Sequence, residues 1–168
     1  MSVKAKQPFK RVAILGLGLI GGSIAAAMKA RDLAVVIVAF DLAPAELAQG
    51  LALGLIDEAA ESAKAAVQGA DLVILAVPVL AIEPLLVQIS RVVSESAVIT
   101  DVGSVKSPII DAARRQVPSL LARIVPGHPI AGSEQHGVQA ANADLFLRHK
   151  VILTPLPETQ ESSLAKLT

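Results

Sequence analysis

Arg11-Val12-Ala13-Ile14-Leu15-Gly16-Leu17-Gly18-Leu19-Ile20-Gly21-Gly22-Ser23 is the stretch that decides the fold class of this chain. Its first five residues are mostly apolar and do not alternate, as in a strand buried on both faces. A G-x-G-x-x-G pattern follows at once, and a segment with helical spacing starts inside it. Gly16 allows the tight turn out of the strand, Gly18 lets the backbone approach a pyrophosphate, and Gly21 lets the helix pack close to the sheet. The helix start at Leu19 and Ile20 offers unpaired N–H groups and a positive dipole end to phosphates. Gly16, Gly18, Leu19, Ile20 and Gly21 are therefore candidate cofactor contacts. A glycine-rich turn holding no ligand is the competing reading. The strand before, the helix after and an acidic residue about 20 positions beyond Gly21 favour the nucleotide.

That acidic residue is Asp41, which follows the second apolar run, Ala34–Phe40. A carboxylate there can accept both ribose hydroxyls of NAD and repels a 2′-phosphate. Leu42, Ala43 and Pro44 provide no cation to hold such a phosphate, so NAD is expected rather than NADP. The same residue can instead cap the helix that starts at Pro44.

Further apolar runs extend the pattern: Leu72–Val77, Ala97–Thr100, Arg123–Val125 and Val151–Leu153. Between most of them lie Ala- and Leu-rich segments with helical spacing. Ile20, Ile24, Ala27 and Met28 share one helix face, and Ile82, Leu85, Leu86 and Ile89 another. Strand alternating with helix predicts an α/β fold: a doubly wound, mostly parallel Rossmann-type sheet with helices on both faces. Val77 and Pro78 close the third run, where proline stops the ladder and the sheet edge lies over the cofactor. Thr100-Asp101-Val102-Gly103-Ser104-Val105-Lys106 closes the fourth. Either Asp101 or Ser104 can cap the helix that follows. Their place at the carboxyl end of a strand equally makes Asp101 a candidate cofactor contact and Ser104 a candidate site residue.

Residues 1–9 read as a polar tail, 10–157 as one dinucleotide-binding domain, and 158–168 as the start of a helix. With Leu164 and Leu167 three apart at its end, the chain is expected to stop short of a further domain. Composition excludes other classes. Fifteen basic and fifteen acidic side chains cancel, and three phenylalanines are the only aromatics. Neither a cationic face nor a stacking platform for nucleic acid is available. Mean hydropathy is high, at +0.61. Yet the apolar runs break well before the ~20 residues of a spanning helix. No signal-peptide pattern opens the chain, and the lack of cysteine suits a reducing cytoplasm.

Gly127-His128-Pro129-Ile130-Ala131-Gly132-Ser133-Glu134 narrows the chemistry. A histidine at a strand end can be a turn residue satisfied by backbone contacts. With a dinucleotide fingerprint upstream and Ser104 at a neighbouring strand end, His128 reads instead as an acid–base residue. His136 lies in a polar stretch and His149 in a basic cluster with Arg148 and Lys150. The spacing of the three histidines suggests no metal site.

GLGLIGGS, Asp41, DVGSVK, GHPIAGSE and LF…VILTP together resemble the nucleotide-binding half of the prephenate and arogenate dehydrogenases, over roughly residues 10 to 155. The resemblance implies NAD-dependent oxidative decarboxylation of prephenate to 4-hydroxyphenylpyruvate, or of arogenate to tyrosine, in tyrosine biosynthesis. It implies that His128 is the catalytic histidine, that Ser104 hydrogen-bonds near the same substrate hydroxyl, and that Ser133 and Glu134 line the substrate pocket. It also implies a cytoplasmic homodimer formed through a helical domain absent from this chain. That domain carries an SHLPH-like segment and the arginine that holds the ring carboxylate, so these residues alone are expected to be weakly active or inactive. Relatives often carry a glycine and a basic residue after the Leu-Phe pair, where this chain has Leu147-Arg148-His149-Lys150. A nucleotide-binding module without catalysis, or a dehydrogenase of the 3-hydroxyacid type, are the alternatives. DVGSVK followed by GHPIAGSE speaks against the second.

Overall fold

In the computed structural model, which describes residues 9–168, the apolar runs form one parallel sheet. Its strands are β1 (Phe9–Leu15), β2 (Ala34–Phe40), β3 (Glu58–Ala59), β4 (Leu72–Leu75), β5 (Val98–Asp101) and β6 (Ile124–Val125). They lie in the order β3-β2-β1-β4-β5-β6. Leu15 sits between Phe40 and Leu75 in the register, so β1 is central. The chain winds one way from β1 to β3 and the other way from β4 to β6. A crevice opens outside the strand ends where the direction reverses, between β1 and β4.

The helices are α1 (Leu19–Ala30), α2 (Pro44–Ala52), α3 (Ala63–Val67), α4 (Val79–Ile89), α5 (Ser107–Gln116) and α6 (Glu161–Leu167). Because strand side chains alternate in direction, each central strand feeds two cores. Ala13, Leu15, Val73, Leu75 and Ile99 pack with Val67, Ile82, Leu86, Ile89 and Ile109 of α3, α4 and α5. Val12, Ile14, Ile37, Ile74 and Val98 pack with Ala25 and Met28 of α1 and with Leu164 and Leu167 of α6. Burial on both faces explains why these strands show no polar alternation.

Carboxylates tie the amino ends of the strands. Asp71 accepts from the N–H groups of Lys10 and Arg11 at 2.9 and 2.8 Å. Asp57 accepts from Ile37 N at 2.7 Å and from the Lys29 ammonium. Partial burial opposes its ionisation, but the Lys29 hydrogen bond, the Ile37 N–H and the Lys29 charge outweigh this and hold its carboxyl below the usual range.

Several expectations are corrected. Val151–Leu153 does not join the parallel sheet. It forms β8, antiparallel to β7 (Gly127–Pro129), in a separate two-stranded ribbon with His128 opposite Ile152. A three-residue apolar run carries no information about its partner, which here is the histidine segment itself. The third strand ends at Leu75, leaving Ala76, Val77 and Pro78 as the exit from the sheet. Edge strand β3 was invisible in sequence, since two exposed residues, Glu58 and Ala59, carry no strand signal. The tail was expected to run to residue 9, but Phe9 opens β1; the residues before it lie outside the described residues.

On α1 the buried side is Gly21, Gly22, Ala25 and Met28, with Ser23 and Ala26 beside it. Ile20, Ile24 and Ala27 are only half-buried. Two surfaces meet α1: the sheet, and a turn at Val138–Ala140. A Cβ on Gly22 would stand 3.0 Å from Val138 Cγ2 and 3.1 Å from Ala141 Cβ. Ser23 Oγ accepts from Asn142 N at 3.0 Å, and Glu46 of α2 accepts from Val138 N at 2.6 Å. Small residues on α1 thus let the segment between β7 and β8 fold back over it. The α4 expectation needs less change: Ile82, Leu86 and Ile89 are buried and Leu85 lies half-covered.

Candidate nucleotide and acid–base site

The glycine loop occupies the crevice between β1 and β4. Gly16 has φ +96°, and a Cβ there would lie 2.4 Å from the carbonyl oxygen of Ala76. Its N–H donates to Phe40 O at 2.8 Å, which continues the β1–β2 ladder through the turn. A Cβ on Gly21 would stand 2.0 Å from Gly16 O, so α1 is seated on the loop as closely as backbone permits. Gly18 differs: nothing lies within 4 Å of its would-be Cβ. Two glycines are required by the protein's own packing, whereas the third faces open space, where a ligand can approach the backbone.

That space is a cavity of about 510 Å³ lined in part by Gly16, Gly18, Asp41, Val77, Pro78 and Leu85. Leu19 and Ile20 open α1 directly after Gly18, its N-cap. The carboxylate of Asp41 accepts from Leu17 N at 2.7 Å and from Ala43 N at 2.8 Å, bracing the glycine loop against the end of β2. An ionised carboxylate has about four lone-pair sites, so two remain for a ligand. The capping alternative is met only indirectly, because the bond reaches Ala43, the residue before α2. Among the described residues no lysine or arginine lines the cavity, and Leu42, 90% exposed, flanks its mouth. Gln88 of α4, which sequence reasoning passed over, brings the cavity a polar side chain besides Asp41.

At the ends of β5 and β6 the structure brings the DVGSVK and GHPIAGSE segments together. Asp101, only 3% exposed, accepts from Gly103 N at 2.9 Å and from Gly127 N at 3.3 Å. It also pairs with the Lys106 ammonium, which donates a second bond to Gly127 O at 2.6 Å. Asp101 is therefore engaged by protein groups rather than lining the large cavity, and it does not cap α5. Ser104 and His128 follow directly after the two glycines that Asp101 holds. Ser104 is exposed and His128 half-buried. Neither side chain makes a hydrogen bond among the described residues. Ser133 Oγ accepts from Gln135 N at 3.1 Å in a local turn, and Glu134 is exposed. No hydrogen bond links these two to His128, Ser104 or the glycine loop among the described residues. His136 is exposed, and His149 Nδ1 contacts Leu147 O at 2.9 Å. Among the described residues no group of acids and histidines is placed to hold a metal.

Two further residues escaped sequence reasoning. Lys106 stood in a quoted motif, but its partners lie five and 21 positions away, spacings no secondary-structure period marks. Glu46 reaches Val138 across 92 positions.

A family model described as prephenate dehydrogenase, nucleotide-binding domain, matches residues 24–168, from within α1 to the last residue. The chain belongs to this family. Cyclohexadienyl dehydrogenase of Zymomonas mobilis is 39% identical over 157 residues, covering 94% of this chain and 53% of the relative. Among solved structures, prephenate dehydrogenase from A. aeolicus in complex with hydroxyphenyl propionate and NAD+ superposes with TM-score 0.87 at 32% identity, covering 97% of this chain and 56% of that one. Synechocystis arogenate dehydrogenase gives TM-score 0.84 at 29% identity, covering 94% and 54%. The chain thus spans about half the length of these relatives. Within this prephenate dehydrogenase nucleotide-binding domain, Arg148 sits at φ +62°, where glycine is the natural occupant. This is the loop in which the resemblance led to the expectation of a glycine and a basic residue after the Leu-Phe pair. Arg114 and Arg115 are on the exposed side of α5, paired with Glu158 at 3.1 Å and Glu83 at 2.9 Å. No helix of the described residues is long and apolar enough to cross a membrane.

Proposed function

We propose that this chain provides the NAD-binding part of an enzyme that oxidatively decarboxylates prephenate to 4-hydroxyphenylpyruvate, or arogenate to tyrosine. The observation carrying the proposal is the shared support of Ser104 and His128, beside a crevice whose glycine geometry suits a dinucleotide. The residues present fit NAD: Gly18 leaves open space, the cavity is largely apolar, and Asp41 keeps free lone pairs with no lysine or arginine of the described residues lining the cavity. Bound NAD+ would supply the two-electron acceptor for the hydride. In the substrate, the C–H bond at the hydroxyl-bearing ring carbon breaks with loss of that hydride. The bond to the ring carboxylate then breaks, carbon dioxide leaves, and its electron pair completes an aromatic ring. His128 accepts a hydrogen bond or proton from the hydroxyl as carbonyl character develops on that carbon. Ser104 hydrogen-bonds to the same oxygen, and Ser133 and Glu134 border the substrate. Gly16, Gly18, Leu19, Ile20, Gly21, Val77 and Pro78 form the dinucleotide cradle, and Asp41 takes the adenosine ribose. Asp101 acts from behind this surface. The same reading assigns the enzyme to tyrosine biosynthesis in the cytoplasm, as a homodimer, on the strength of the family resemblance.

Two measurements test this. Calorimetry on this chain is expected to give NAD at least about tenfold tighter binding than NADP, since a 2′-phosphate against Asp41 would exceed the ~1.4 kcal/mol that tenfold represents. The reverse preference would remove Asp41 from ribose recognition. The native gene product, given NAD and prephenate or arogenate, is expected to form NADH and carbon dioxide in equal amounts. Tight NAD binding with neither substrate consumed would select a nucleotide-binding module without catalysis. That second reading draws on the chain's spanning only about half the length of its relatives.

A further inference from the structure

The mechanism above leaves unused the most deeply placed ion pair of the described residues, Asp101 with Lys106. The side chains are 3% and 16% exposed. Asp101 closes β5, and its carboxylate reaches in three directions: to Gly103 N, to Gly127 N and to the Lys106 ammonium. Lys106 in turn donates to Gly127 O, so both backbone polar groups of Gly127 are held by this one pair. Space around Gly127 is closed as well. A Cβ there would be 2.8 Å from Asp101 O and 3.1 Å from Thr100 Oγ1. β7 has left the parallel sheet and hydrogen-bonds as a strand only to β8. Beyond the last β5–β6 pair, Thr100 with Val125, its placement against β5 is held by side chains.

We propose that Asp101 and Lys106 form a positioning pair that sets the spacing of Ser104 and His128. The proposal rests on the reading of those two residues given above. Gly103 fixes the turn that presents Ser104, and Gly127 fixes the strand that presents His128. One carboxylate holds both, so losing the ion pair frees the two turns to shift relative to each other. Two apolar side chains could not take this place, because they would leave Gly103 N–H and both backbone polar groups of Gly127 without these partners. The pair therefore fixes backbone directly, at the two glycines that precede Ser104 and His128. A displacement of about 1 Å at reacting groups can cost about 100-fold in rate.

The test is the double variant Asp101→Asn with Lys106→Met in the native gene product, which leaves no stranded charge. Its NAD affinity is expected to stay within about twofold of wild type, because neither residue borders the large cavity. Its kcat is expected to fall about 100-fold with little change in KM for NAD. The ring-proton NMR signals of His128 should shift, while those of His136 and His149, which lie outside the clamp, stay in place. A folded double variant with wild-type kcat and unmoved His128 signals would overturn the proposal. Should the double variant fail to fold, Lys106→Arg keeps the charge but changes the reach. It is expected to give the same signature at about tenfold, and wild-type kcat with unmoved His128 signals in that variant would equally overturn it. If the wild-type protein turns over neither prephenate nor arogenate, the functional reading fails by itself. The His128 signals then still decide whether the clamp positions the imidazole.

Discussion

The His128→Asn variant of the native gene product is expected to lose about 100- to 10,000-fold in kcat, the span that a positioned acid–base group ordinarily supplies. Asparagine fills a similar space and can still hydrogen-bond, but its amide cannot take up a proton. Binding of NAD should be unchanged, since His128 does not line the cavity around the glycine loop. Stability should change by no more than about 0.5 kcal/mol, the usual limit for a surface substitution away from special features. This follows because the imidazole is half-exposed and bonded to no other described residue. Turnover, calorimetry and a thermal melt on the same preparation separate these effects. A variant that melts normally, binds NAD and turns over at the wild-type rate would take His128 out of the mechanism.

Gly21→Ala is expected to do the opposite, damaging the fold and the nucleotide site together. The added methyl would have to occupy a point 2.0 Å from Gly16 O and 3.2 Å from Ile14 Cγ2. Backbone cannot yield as a flexible side chain can, so α1 must tilt away from β1. A loss of about 3 kcal/mol is expected, near the top of the range for overpacking. For a chain of this size that corresponds to a fall in Tm of roughly 6 to 12 °C. The tilt also carries the helix N-terminus away from the crevice, so NAD affinity should fall more than about tenfold. Gly18→Ala is the matched control. It meets no protein atom within 4 Å and has φ −80°, so its melt should match wild type while NAD binding weakens. Equal melts for all three proteins would contradict the packing, and unimpaired NAD binding by Gly18→Ala would place the pyrophosphate elsewhere.

Much of the fold could be read from the chain because its determinants are local. The five residues before Gly16 lack alternation because β1 is covered on both faces, Gly16 takes a positive φ at the turn, and Gly21 packs against Gly16 O five positions before it. Asp41 was legible for the same reason, standing at the end of a recognisable strand. The α1 face was misread because helical periodicity marks large apolar residues. This helix uses Gly21, Gly22 and Ala25 to let two other elements approach. The fate of Val151–Leu153 could not be read either. A short apolar run is equally compatible with a parallel sheet and with the antiparallel ribbon it forms with the His128 segment.

The candidate site divides in the same way. Its residue types were in the sequence: a histidine before proline, a serine after a strand, a glycine fingerprint. Their arrangement was not. Asp101 looked like a cap or a cofactor contact, and the structure places it 26 positions away from Gly127 in sequence but within hydrogen-bond reach of it. What the sequence by itself determined is the parallel α/β sheet, the glycine-lined crevice and the carboxylate at the end of its second strand, because turn sterics and strand burial act over short stretches of chain. Only the tertiary structure decided that Asp101 and Lys106 face inward, that β7 pairs with β8, and that Ser104 and His128 share one support. Each of these is a contact between distant segments, and its energy depends on where whole layers pack rather than on the residues beside it.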